Sequence, residues 1–337
     1  MPMFHLLRRV APRAALFVPM LMLPVLPAAA QAQAQAQAAT SFPARPVRLI
    51  VPFPAGGPAD VLGRAIAQRL SEKWRQPVVV DNKGGANTLI AAQEAARAAP
   101  DGYTLFMPLD STYTLNPALY SRLPYDPIKD FASISIVARQ SLVLTATDRT
   151  PFRAVADLVA AARAQPGSIN YGSSTTSTQL AGEMFTRQSG IKLVQVPYRG
   201  ASEVVKGMLS GDVEVSFDGI AANVPHIQSG KIRALATTGP VRSAALPDVP
   251  TLAEAGLKGY ELLMWNALSA PAGTPRAIID KIHKDVVEVV QRKEVRDQLM
   301  VFGLETAGTT PEEMDETIRR ETAKYAPLIK ELGLKLN

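Results

Sequence analysis

The chain is 337 residues long, carries a formal net charge of +6 and contains no cysteine. Lack of cysteine excludes disulfide bridges, thiolate metal sites and cysteine nucleophiles, so stability has to come from packed cores. The charge excess is too mild for a nucleic-acid footprint, and the length beyond a leader suits two domains of about 150 residues each.

Residues 1–40 read as a secretory signal peptide and a spacer. Arg8, Arg9 and Arg13 form a positive start with no acidic residue nearby, and 14–27 is almost wholly apolar. Ala28, Ala29, Ala30 and the Gln/Ala repeat after them offer small-x-small cleavage sites. The competing reading is a membrane anchor, but the apolar run is short for a span and Pro19, Pro24 and Pro27 interrupt it. A signal places the mature start between Gln31 and Ser41 and sends the protein to the periplasm. Removing the three leader arginines leaves a mature charge near +3, which slightly favours anionic ligands.

Val47, Leu49, Ile50 and Val51 predict a buried strand, and Pro52, Pro54, Gly56 and Gly57 stop it. A helix follows from Pro58, with Leu62, Ile66 and Leu70 on one face. Such a loop turns backbone N–H groups outward beside a positive helix end, a site for a carboxylate. The alternative is a plain structural turn. Asp60 reads as a capping residue of the first helical turn.

Strand patterns at 78–80, 103–107, 169–171, 192–196, 213–217 and 232–237 alternate with helical patterns at 58–73, 88–98, 155–164, 177–189, 201–209 and 221–228. Further helices are predicted over 275–291 and 311–325. This is an α/β protein with parallel-rich sheets. The β-rich stretches 133–147 and 260–270 break the rhythm. They predict two hinge crossings between a lobe of 41–145 plus 268–337 and a lobe of 146–267. One large sheet with two long strands is the alternative.

Polar residues gather at the carboxyl ends of several strands, where open α/β sheets bind ligands. Ser173, Ser174, Thr175, Thr176, Ser177 and Thr178 lie between a strand and a helix and exceed what capping needs. Asp110, Ser111 and Thr112 follow the strand at 103–107, Asn82 to Asn87 follow 78–80, and Asp218 and Gly219 close 213–217. Beyond the leader only His226 and His283 remain, without a partner at metal spacing. Nucleophile-elbow, phosphate-loop and dinucleotide fingerprints are missing. These observations predict a binding protein rather than an enzyme, with no cofactor and no metal.

The blocks PVRLIVPFPAGGPAD (46–60), DGYTLFM (101–107), NPALYSRLPYDPIKDF (116–131), VPYRGASEVVKGMLSGDVEVSFD (196–218), PHIQSGKIRALATTG (225–239), LPDVPTLAEAG (246–256) and APAGTP (270–275) stand in an order that resembles the Bug receptors of tripartite tricarboxylate transport. The resemblance covers nearly all of 42–337. It implies a two-lobed periplasmic binding protein (type II, Venus-flytrap) that closes on a small organic acid. It also implies partnership with membrane permease subunits; a membrane sensor kinase is the alternative partner, and a monomer is expected. Carried over from the family, the carboxylate is held by Phe53, Ala55, Gly56 and Ala59 of the first loop and by Ser173, Ser174, Thr175 and Ser177 of the second. Asp218 takes a cleft position. Arg199 is a competing ion partner for the ligand, with a salt bridge elsewhere as its alternative role. Two stretches depart from the family pattern: 82–88, where an Asn-Arg-Pro-Gly-Ala-Gly-Gly-like loop is usual, and Thr175, Thr176 and Gln179, where glycines and a histidine are usual. Both fall on the ligand side and leave ligand identity open.

Overall fold

The computed structural model describes residues 42–336, so the signal peptide and its cleavage region lie outside the described residues. β1 (Val47–Val51) is buried on both faces, as a central parallel strand requires. It pairs in parallel with β2 (Val78–Asn82) and β3 (Thr104–Phe106), with α1 (Pro58–Trp74) and α2 (Leu89–Ala96) returning the chain. The stretch after β3, expected as a loop, is helical instead: α3 (Asp110–Thr114) and α4 (Asn116–Leu119). Tertiary packing overrides the weak helix propensity of its hydroxyl residues, for Tyr113 is buried and stacks on Trp265.

β4 (Phe131–Thr147) is the long strand expected near 133–147. Its residues 131–141 pair antiparallel with β9 (Leu263–Pro271). Its last residues pair antiparallel with β7 (Val215–Gly219) on one side and β8 (Ile232–Thr237) on the other. β5 (Asn170–Ser173) lies parallel to both β6 (Val194–Pro197) and β7. The helices α5 (Val155–Ala164), α6 (Thr176–Ser189), α7 (Ala201–Ser210) and α8 (Ile220–Gln228) connect these strands.

The hydrogen-bonded path runs β2-β1-β3-β9-β4-β7-β5-β6. Each end of it is parallel and the centre is antiparallel, so β4 belongs to both halves of the sheet. The second β-rich stretch, 260–270, forms strand only from Leu263. Residues 260–262 are not strand, and β9 pairs with β3 and β4 of the first half. The amide of Leu262 still bonds the carbonyl of Thr238, which ties this segment to the second half.

The chain ends with α9 (Arg276–Val290), α10 (Lys293–Met300), β10 (Glu305–Thr306) and α11 (Pro311–Glu331). α9 buries Ile278, Ile282, Val286 and Val289 in the core that also holds Leu49, Leu62 and Ile66. Each such side chain contributes about 1.5–3 kcal/mol of burial. A second core around Leu144, Tyr171, Phe185 and Phe217 also takes in Leu115 and Leu119 near β3 and Tyr325 and Ile329 of α11, so it joins the two halves. α11 starts on a reciprocal cap: the Thr310 hydroxyl accepts from the Glu313 amide at 3.1 Å, and the Glu313 carboxylate accepts from the Thr310 amide at 2.9 Å.

Between β2 and α2 the backbone is unusual. Ala86, Asn87 and Thr88 have φ of 44°, 51° and 75°, the left-handed region that favours glycine. These residues fall in the stretch 82–88 that the resemblance marks as a departure from the family pattern. Asn87 is held there by a bond from its amide to Asn116 Oδ1 at 3.1 Å.

Candidate ligand-binding site

A cavity of about 610 Å³ is lined from both halves of the sheet. The first wall is the loop between β1 and α1, which supplies Phe53, Ala55, Gly56 and Ala59. Pro58 opens α1 with its fixed φ. The first amides of a helix have no intrahelical partner, so Ala59 and Asp60 offer free N–H groups at a positive dipole end. The Gly56 amide is engaged differently: it donates to Asp60 Oδ2 at 2.9 Å. Asp60 also accepts from Arg64 Nε at 2.9 Å and Asn82 Nδ2 at 3.0 Å, and Asn82 bonds the Phe53 carbonyl at 3.0 Å. Burial raises the Asp60 carboxyl, but the bonds from Arg64, Gly56 and Asn82 outweigh it and hold the group below its usual range. Asp60 therefore anchors the loop.

The second wall is the start of α6. Ser174 and Thr175 line the cavity together with Thr178. Thr175 is the N-cap, its hydroxyl accepting from the Thr178 amide at 3.2 Å. The Thr178 hydroxyl in turn accepts from the amides of Ser174 at 2.9 Å and Thr175 at 2.8 Å. The loop is thus shaped by its own hydroxyls, and the Ser174 hydroxyl donates to Asp218 Oδ1 at 3.0 Å.

Asp218 lines the cavity at the end of β7 and is 3% exposed. Its Oδ1 also accepts from the Gly219 amide at 2.7 Å, while Oδ2 is buried without a hydrogen-bond partner among the described residues. Burial pushes its carboxyl up to about 6 against the lowering effect of the Gly219 and Ser174 bonds.

Three of the sequence-selected residues do not reach this cavity wall. Thr112 is fully buried in α3 and shares a 3.0 Å bond with the Thr88 hydroxyl. Ser173 accepts from Gln195 Nε2 at 2.9 Å. Ser177 donates to Asp110 Oδ2 at 2.9 Å, joining α6 to α3. Their side chains are structural contacts beside the site.

Several wall residues escaped sequence reasoning. The N-terminus of α7 contributes Gly200, Ala201 and Ser202, and that of α8 contributes Ala221 and Ala222 beside the Gly219 that the sequence already marks. Four helix N-termini, those of α1, α6, α7 and α8, thus converge on one cavity. The strands β4 and β9 add Gln140, Met264 and Asn266. Asn266 is 2% exposed, and its Nδ2 has no partner among the described residues. A lone amide inside the apolar run LMWNALSAP is the signal that marks it. Arg199 also lines the cavity, with its amide bonded to Glu203 Oε2 at 3.1 Å, and is the one cation on the wall. The salt bridge weighed as its alternative role does not form among the described residues.

Helix N-termini and loop hydroxyls give the cavity wall the kind of donors that suit an anion. Among the described residues no His, Asp and Glu cluster is set to hold a metal, and no helix is long and apolar enough to cross a membrane.

Comparison with known proteins identifies the family. BugT of Bordetella pertussis is 33% identical over 89% of this chain and 93% of its own. The R. palustris protein Rpa4515, solved with adipate, is 34% identical with a TM-score of 0.81, over 87% of this chain and 98% of that one. MatC (Rpa3494) of Rhodopseudomonas palustris, solved with bound malate, is 28% identical with a TM-score of 0.77, over 86% and 100%. The family model described as tripartite tricarboxylate transporter family receptor matches residues 62–334. A two-lobed α/β chain with this sequence and this cavity belongs to that family of solute-binding receptors, which are not enzymes.

Proposed function

We propose that the protein is a periplasmic receptor that captures a small organic carboxylate and delivers it to permease subunits of a tripartite tricarboxylate-type transporter. The observation that carries the reading is the convergence of four helix N-termini and a cluster of hydroxyls on one cavity. The solved relatives that hold adipate and malate support the same ligand class. Family membership supports the transport partner.

In this reading the ligand lies between the loop of Phe53, Ala55, Gly56 and Ala59 and the start of α6 at Ser174 and Thr175. The lobes divide as 41–145 plus 268–337 and 146–267, and ligand draws them together about β4 and β9. Three or four hydrogen bonds to a charged carboxylate contribute about 1.5–3 kcal/mol each. After ordering and desolvation losses, roughly −8 kcal/mol remains, which is micromolar binding.

A thermal-shift screen of mono- and dicarboxylates tests the reading, because a ligand that binds the folded state raises its melting temperature by mass action. A saturable rise with at least one acid is expected. No shift with any acid at millimolar concentration would defeat it.

A further inference from the structure

A groove of about 450 Å³ shares no lining residue with the ligand cavity. One wall comes from the first half: Arg296 and Met300 of α10 and Glu305 of β10. The other comes from the stretch after β8: Arg242, Ala244 and Pro247. Along β4 the pairing passes from β10, at Ala138 and Arg139, to β8, from Val143 onward. The groove thus stands at the seam of the two halves. The turn after α10 links it to the ligand cavity, for Met300 lines the groove and Phe302 lines the cavity. At Gly303 a Cβ would stand 3.0 Å from Ile220 Cβ, so the same turn lies against the start of α8.

The chemistry of this surface suits a partner. Val301 and Val241, 73% and 68% exposed, are the two most exposed large aliphatic side chains among the described residues. Each is the chain neighbour of a groove residue. Exposed apolar groups gathered at one place and rimmed by charge mark an interaction surface. The charges are unequally spent. Arg242 Nε donates to Glu254 Oε2 at 2.9 Å, and that oxygen also accepts from the Thr251 amide at 2.8 Å. Arg296 is exposed and has no ion-pair or hydrogen-bond partner among the described residues. Glu305, the acid on the wall, stands across the ladder from Arg139, so the balance at the groove is positive. The sequence block 246–256 supplies Pro247 and Glu254 here and nothing to the ligand cavity.

We propose that this groove is the surface on which a permease subunit docks. Its occupant is an acidic segment of that subunit, with a carboxylate on Arg296 and an aliphatic side chain beside Val241, Val301 and Met300. The proposal rests on the transport reading above and names the partner surface for it. The aliphatic rim favours a protein segment over a free small anion, and the unspent guanidinium sets the sign of its charge. Because the two walls belong to different halves, a segment that touches both fits one relative placement of them. The turn 300–303 carries that placement to the ligand cavity.

Site-directed cross-linking tests this. Val301→Cys and Val241→Cys each give the chain its only cysteine, and Ile128→Cys, at an exposed site outside the groove, is the control. The mature proteins, labelled with a photo-activated cross-linker, are added to spheroplasts that carry tagged permease subunits. A covalent receptor–permease adduct is expected from both groove positions and little or none from Ile128→Cys. Adding Arg296→Glu to Val301→Cys should cut the yield about tenfold, because like charges then meet. Added salt should lower the yield of Val301→Cys alone. Melting temperatures, with and without the acids of the carboxylate screen, check that each variant keeps its fold and its acid binding. An adduct from Ile128→Cys alone, adducts only with a second copy of the receptor, or a yield unchanged by Arg296→Glu overturns the inference and leaves the carboxylate reading standing. No adduct from any position also overturns it. If in addition no acid raises the melting temperature, the receptor reading falls with it.

Discussion

The amide of Gly56 and the carboxylate of Asp60 are joined at 2.9 Å, four residues apart across the start of α1. The bond curls the first loop back onto its own helix. Gly56 takes φ of 88° to allow it. Asp60 is at the same time bonded to Arg64 and to Asn82, whose own amide holds the Phe53 carbonyl. The loop between β1 and α1 is thus held by one buried carboxylate that is not itself on the cavity wall.

Asp60→Ala should therefore cost about 1–3 kcal/mol of stability, since it removes the acceptor shared by the Gly56 amide, Arg64 and Asn82. The Asp60 carboxyl is held below its usual range in the folded protein. Its contribution is accordingly present above the unfolded-state value of about 4 and is lost as pH falls through the folded value. Denaturant titrations at pH 7 and pH 3 should show the gap between wild type and variant shrinking in acid. An equal gap at both pH values would remove Asp60 from the anchor role.

Gly56→Val should lose roughly 1–2 kcal/mol from the positive φ alone. A Cβ at this position meets nothing within 4 Å, so the cost is conformational and not steric. The branched side chain then projects beside the cavity, and acid binding should fall by more than stability does. Calorimetry on the folded variant checks this; unchanged affinity would place the anion elsewhere.

Ala86→Gly should stabilise the protein by about 1 kcal/mol. Ala86 holds φ of 44° in a run of three left-handed residues, and glycine relieves that strain at modest entropic cost. A raised urea midpoint with an unchanged slope is the expected result, and a lowered midpoint would contradict it.

Asp110 gives a pH prediction of opposite sign to Asp60. Burial, reinforced by the nearby Glu321 charge, pushes its carboxyl up to about 8. The folded state therefore holds a proton that the unfolded chain releases near pH 4, and stability falls as pH rises between about 4 and 8. Asp110→Asn mimics the neutral acid and removes this slope. Melting curves of the two proteins should diverge with rising pH, the variant gaining on the wild type. Parallel curves would show that Asp110 is ionised in the fold throughout.

Arg199→Ala should weaken acid binding by a few-fold and flatten its dependence on salt. The guanidinium is exposed at the cavity rim, so its attraction is screened and modest. Total loss of binding in this variant alone would make a direct ion pair, and not the amides and hydroxyls, the main hold on the ligand.

Much of the fold is legible in single segments. The run from Val47 to Pro58 announces strand, loop and helix because apolar period and proline chemistry agree there. The long strand near 133–147 is equally plain, being β-rich with no helical period. The helices at 110–119 are not legible, since Asp, Ser and Thr favour loops until the packing of Tyr113 against Trp265 decides otherwise. The same limit applies at the cavity. Phe53, Gly56, Ser174 and Thr175 sit in contiguous loops and can be read directly. The hydroxyl partners of Thr112, Ser173 and Ser177 come from distant segments, so nothing local says that those side chains are already engaged. Asn266 reaches the cavity only because β9 lies beside Leu109, a bridge between residues far apart in sequence.

That β4 is shared also sets an order for folding. Its first part finds its partner in β9, which arrives more than a hundred residues later, while its last part pairs with β7 and β8 of the intervening segment. The stretch from β4 to β8 can complete its sheet with strands already at hand. The N-terminal strands β1 to β3 stay separated from β4 until β9 fills the place between them. Long loop closure makes that last pairing slow. The first half of the molecule is thus finished by the chain from residue 263 onward, and a truncation before that residue should leave the first half without its central strand and should also take Met264, Tyr325 and Ile329 out of the core of the second.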